Sequence, residues 1–135
     1  MAKVTFALLD QRAGVPEPAP DPPDEFPLPA WYRRVRGLPI DELTVEDVCK
    51  ACRQRIHVEH TVPRALRILE ETLLAGEIYE GELLVALASI PRQYWTTHDD
   101  QRMSLASIIG RVLRMEGTTA DVKRDAQELL DSTRM

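Results

Sequence analysis

Seven of the ten prolines lie between Pro16 and Pro29, with the acids Glu17, Asp21, Asp24 and Glu25 among them. Proline fixes φ and has no backbone N–H, so neither a helix interior nor a central strand can run through such a stretch. Residues 10–29 are therefore expected to form an extended, polyproline-like linker. Residues 1–9 are expected to be mobile or to dock as one strand or turn. Folding should begin near Phe26 or Trp31, which divides the chain into a proline-rich arm over 1–29 and one helical domain over 30–135. No Pro-x-x-Pro of the arm carries a flanking arginine, so it is read as a linker and not as an SH3-type ligand. A chain of 135 residues has room for one sizeable core.

Beyond the arm the apolar residues recur at helical spacing. Thr44 is placed to cap a helix that carries Val45, Val48, Cys49, Cys52 and Ile56 on one face, with Glu46 and Asp47 in its first turn. Val62, Ala65, Leu66, Leu69 and Leu73 mark a second helix, with Pro63 in its first turn or kinking it. Gly76 and Gly81 bracket a turn. Glu82 to Ile90 forms a third, short helix stopped by Pro91. Asp99 and Asp100 open a fourth, buried through Leu105, Ile108, Ile109, Val112 and Leu113 and ended by Gly117. Thr118 or Thr119 caps a fifth, with Val122, Ala126, Leu129 and Leu130 as its stripe. No segment alternates as a strand does. The expectation is an all-α domain of about five helices.

Few residue patterns point to chemistry. Cys49 and Cys52 form a C-x-x-C followed by His57 and His60, a donor set that suits zinc. Both cysteines lie on the apolar stripe of a capped helix, where a free thiol packs as a small hydrophobe. They are read as core. Thioredoxin-like chemistry lacks its strand-then-helix setting. His98-Asp99-Asp100 reads as a helix start whose acids face the dipole, and not as a metal site. No G-x-S-x-G and no glycine-rich phosphate loop is present. Trp31 and Tyr32 beside Arg33, Arg34 and Arg36 are read as aromatics closing a core, with arginines solvated around them. A helix-turn-helix reading fails because the second helix offers Arg64 and Arg67 and then Glu70 and Glu71. No catalytic residue, cofactor or metal is expected.

The formal net charge is -5, with pI near 5.2. Nucleic acid is thereby disfavoured as a direct ligand, since phosphate binding needs a basic face. A basic protein partner is permitted. No apolar run reaches a membrane span, the first residues do not read as a secretory signal, and two cysteines suit a reducing compartment; a cytoplasmic location is expected. The charge is local. Acids and bases balance over 1–37, 38–67 and 92–135, whereas 68–91 holds Glu70, Glu71, Glu77, Glu80 and Glu82 and no Lys or Arg. These five acids, with Tyr79 as an aromatic anchor, form a candidate docking surface for a basic partner. A solvated helix end accounts for the same charges. So does a divalent-metal enzyme built on Glu77, Glu80 and Glu82.

The run Leu74-Ala75-Gly76-Glu77-Ile78-Tyr79-Glu80-Gly81-Glu82-Leu83-Leu84, followed by Ile90-Pro91 and Tyr94-Trp95, resembles the immunity proteins of bacterial contact-dependent growth inhibition (CDI). Leu43 to Cys49, Arg53-Gln54, Pro63 and Ala65-Leu66 extend the likeness over about Pro39 to Leu113. Glu80 stands where the pattern leads one to expect Asp, which keeps the acid. The resemblance implies a small cytosolic antidote without enzymatic activity. It would bind the toxic C-terminal domain of its cognate surface effector, often a nuclease, and block it sterically. A nuclease that binds polyanions tends to be basic, so an acidic patch would imitate its substrate. The alternative is a helical adaptor or antitoxin-like regulator of another protein.

Overall fold

The computed structural model describes residues 3–16 and 27–133. Among them are eight α-helices, two short 3-10 turns and no β-strand, so the fold is all-α. The chain divides into two compact units, Met1–Leu43 and Thr44–Met135. The boundary falls fourteen residues beyond the expected end of the arm at 29.

In the first unit, α1 spans Phe6–Ala13 and α2 spans Pro27–Val35. This corrects the expectation of a mobile or strand-like N-terminus running into a linker from residue 10. The Thr5 hydroxyl accepts from the Leu8 N–H at 3.0 Å, and Gly14 closes α1 in the left-handed region at φ 77°. Phe6, Leu9 and Asp10 form its buried face at helical spacing. The Tyr32 hydroxyl donates to Asp10 at 2.6 Å, and the Tyr32 ring stacks on Phe6. Burial and the neighbouring Asp10 carboxylate push the Tyr32 hydroxyl well above its ordinary pKa. Pro27 and Pro29 sit in the first turn of α2, where the missing N–H costs nothing. Trp31 is buried, as read from sequence, and Arg34 is exposed. The part of the expected arm over 17–26 lies outside the described residues.

The second unit holds α3 (Val45–Arg53), α4 (Val58–Glu71), α5 (Glu82–Ala86), α6 (Arg92–Thr97), α7 (Asp99–Leu113) and α8 (Ala120–Thr133). A 3-10 turn, Leu87–Ser89, continues α5 up to Ile90 and Pro91. Thr44 caps α3 as expected: its hydroxyl accepts from the Asp47 N–H at 3.2 Å, and Asp47 accepts from the Thr44 N–H at 3.3 Å. α3 ends in a nested pair of bonds, Arg55 N–H to the Cys52 carbonyl and Ile56 N–H to that of Ala51. That closure puts Arg55 in the left-handed region at φ 55°, a place glycine usually fills. α4 starts at Val58, ahead of the expected Val62, so Pro63 falls in its second turn and offers no N–H to the Glu59 carbonyl. α3 packs on α4 and α5, and α7 packs on α4 and α8. Cys49, Cys52, Leu69, Leu83, Leu87, Trp95 and Ile108 lie at the centre. α6 was not legible beforehand, although its Tyr94 and Trp95 were picked out.

A candidate docking loop built around Glu82

α4 stops at Glu71, and the ten residues before α5 turn back on themselves. Ala75 N–H donates to the Thr72 carbonyl, Gly81 N–H to that of Leu74, and Leu83 N–H to that of Ala75. Within this frame the chain wraps around one side chain. Glu82 Oε1 accepts from the Glu77 N–H at 2.8 Å and the Ile78 N–H at 3.0 Å, while Oε2 accepts from Arg53 Nη2 at 3.0 Å. Glu82 is 2% exposed. Burial by itself would raise its pKa; the two backbone N–H groups and the guanidinium outweigh that and hold the carboxyl below its ordinary range. The same pairing raises Arg53 against the opposing effect of its own burial.

The two glycines do different work. A Cβ on Gly76 would lie 2.0 Å from the Tyr79 carbonyl oxygen and 2.8 Å from Glu82 Cβ, so only glycine allows the loop to close this tightly. Gly81 adopts φ 85°, and a Cβ there would meet Val122 of α8 at an ordinary 3.6 Å. Its requirement is conformational, not spatial.

Glu82 therefore leaves the candidate surface: it points inward and is the anchor on which the loop is built. Glu70, at the end of α4, is ion-paired with Arg111 of α7 at 3.0 Å, so its charge is offset locally. Glu71 is exposed on the last turn of α4. Glu77, Tyr79 and Glu80 share the outer side of the loop with Ile78, which is 78% exposed; Tyr79 is 47% exposed. Among the described residues Glu71, Glu77 and Glu80 have no ion-pair partner. Ile78 lies outside the set of candidate residues expected from the sequence. An isoleucine between two acids in a glycine-bounded turn was the available signal.

The cysteine motif has no such outlet. Cys49 and Cys52 are free and buried in α3. Burial first, with nearby Glu82 for Cys49 and the neighbouring Cys49 for Cys52, pushes both thiols up to about 12. His98 stacks on Tyr94, its Nδ1 2.8 Å from the Tyr94 carbonyl. Among the described residues no three His, Cys, Asp or Glu side chains gather as a metal site, and no helix is long and apolar enough to cross a membrane.

No curated protein matches the sequence. A family model described as CDI immunity proteins matches residues 16–105. The match begins upstream of Pro39, where the resemblance in the motifs starts, taking in the proline-rich segment, and stops within α7, before α8. It covers two thirds of the 135 residues, and the chain belongs to the family of CDI immunity proteins.

Proposed function

We propose that this chain neutralises the C-terminal toxin domain of its cognate CDI effector, a nuclease, by binding it through the 76–81 loop and covering its active site or an essential neighbouring surface. The observation that supports this reading is the loop itself. Ile78 and Tyr79 project to solvent between Glu77 and Glu80, while the backbone beneath them is tied to the Glu82 carboxylate. A loop already ordered before binding loses little conformational entropy on docking. Its aromatic and aliphatic tips supply the anchor, and the flanking acids steer a basic partner and disfavour acidic ones. A nuclease surface shaped for phosphates is such a partner.

The test pairs this chain with the toxin domain encoded immediately upstream of its gene. Co-expression should rescue growth, and the two proteins should bind. Glu77→Lys/Glu80→Lys should lower the association rate about tenfold or more at low salt, with the difference shrinking as salt rises. Ile78→Ala/Tyr79→Ala should speed dissociation with little effect of salt. Unaltered binding by both variants would move the interface to another face.

A further inference from the structure

α5, the 3-10 turn after it and α8 leave a groove of about 260 Å³ between them, with Val85 and Leu129 at its floor and Ala88, Asp125, Glu128 and Ser132 along its edge. Asp125 and Glu128 stand three residues apart on α8, hence on one side of the helix. Among the described residues neither has an ion-pair or side-chain hydrogen-bond partner. This differs from the rest of the helix, where Asp121 pairs with Arg124 and Asp131 accepts from Gln127. Asp125 is half-buried and Glu128 is exposed.

The volume limits what can enter. Sites for cofactors and drug-sized ligands run from about 300 Å³ upward, so this groove suits a single side chain. An apolar floor with carboxylates at the rim matches the two parts of lysine or arginine, a methylene stem and a cationic head. Position links the groove to the docking loop. Gly81, where the loop ends, lies over Val122 of α8; Asp125 is one helical turn further along that helix, and Leu129 follows. We infer that the α5–α8 groove receives one lysine or arginine side chain of the toxin domain, as a second contact beside the 76–81 loop; this rests on the toxin-binding reading above. α8 lies outside the 16–105 span matched by the family, so this contact would be one by which the chain distinguishes its own toxin.

Two variants separate charge from shape. Asp125→Asn/Glu128→Gln removes the rim charge and keeps the volume. Ala88→Trp fills the groove from an exposed position and keeps the charge. Binding of the upstream-encoded toxin domain to the full chain is measured by biolayer interferometry, with Ile78→Ala/Tyr79→Ala alongside and circular dichroism to check the fold. Both groove variants should dissociate about tenfold faster or more: the first leaves the partner's cation without its counter-charges, and the second shuts its side chain out of the groove. Wild-type rates for both, with the loop variant still weakened, would overturn the groove and leave the toxin-binding reading standing. Weakening by Ala88→Trp alone would mean an apolar occupant and overturn the basic side chain. No binding by the wild-type chain would remove the toxin-binding reading, and the groove assignment with it.

Discussion

Arg53, in the last turn of α3, reaches the carboxylate of Glu82 at the first turn of α5, Nη2 to Oε2 at 3.0 Å, across 29 residues of sequence. The contact closes a circuit. Glu82 is also the acceptor for the loop N–H groups of Glu77 and Ile78, so one side chain ties the docking loop to the helical core. Removing it strands two backbone donors and a guanidinium. Glu82→Ala should cost about 3 kcal/mol or more in urea unfolding, at the upper end for buried polar groups left without partners. Arg53→Met should cost less, about 1 kcal/mol, because the arginine is 37% exposed and water screens the pair.

The same carboxylate sets a pH dependence. Its folded pKa is depressed, whereas the unfolded chain titrates near the ordinary glutamate value of about 4.3. The unfolded state therefore takes up the proton first. The Glu82 contribution is complete above about pH 5 and declines as pH falls through 4.3 toward the folded pKa. In denaturant midpoints measured from pH 7 to pH 3, the wild type should lose stability faster than Glu82→Gln, so the gap between them narrows in acid. Parallel curves would mean that folding leaves the Glu82 pKa where it is in the unfolded chain.

Gly76 and Gly81 looked alike in sequence and are predicted to differ in tolerance. Gly76→Ala forces a methyl to 2.0 Å from the Tyr79 carbonyl oxygen. The loop must open, and the bonds to Glu82 go with it. The expected cost is about 3 kcal/mol, with loss of toxin binding. Gly81→Ala meets only the Val122 methyls at 3.6 and 3.7 Å and pays for its left-handed backbone, about 1–2 kcal/mol. Thermal unfolding of the pair checks the order.

What sequence alone revealed follows from the kind of interaction involved. The Thr44 cap, the Gly76–Gly81 turn and the α7 face through Leu105, Ile108, Ile109 and Val112 are local patterns, and all are present, whereas α5 gives way to a 3-10 turn at Leu87 ahead of Pro91 and α7 ends at Leu113 ahead of Gly117. α1, α2 and α6 are 8, 9 and 6 residues long. Each gives about two and a half turns of periodicity or fewer, and α2 is obscured further by its own prolines. The role of Glu82 was invisible for another reason. Regional charge sums count an acid the same whether it faces water or a guanidinium, and Arg53 lies in a different segment, 38–67, where it is one of five bases that balance five acids. The excess over 68–91 was real. Two of its five acids turn out to be neutralised across the fold, by Arg53 and Arg111, which leaves Glu71, Glu77 and Glu80 to act outward.

The buried thiols give a probe of this architecture that needs no toxin. Cys49 and Cys52 have pKa values pushed to about 12, so almost no thiolate exists at pH 8, and burial denies access to a reagent besides. Ellman's reagent should therefore react with the native protein only through opening of the core, and release two equivalents promptly in denaturant. Because α3 carries both thiols and Arg53 on its last turns, loosening the loop anchor should be felt there. Glu82→Ala should accelerate labelling by the factor its unfolding free energy implies, about a hundredfold for 3 kcal/mol when opening is at equilibrium. Ile78→Ala/Tyr79→Ala, which changes only the outer side of the loop, should leave the labelling rate where it is. Rapid labelling of the native wild type would mean that α3 exposes its cysteines, and the C-x-x-C would have to be reconsidered as a reactive or metal-binding pair.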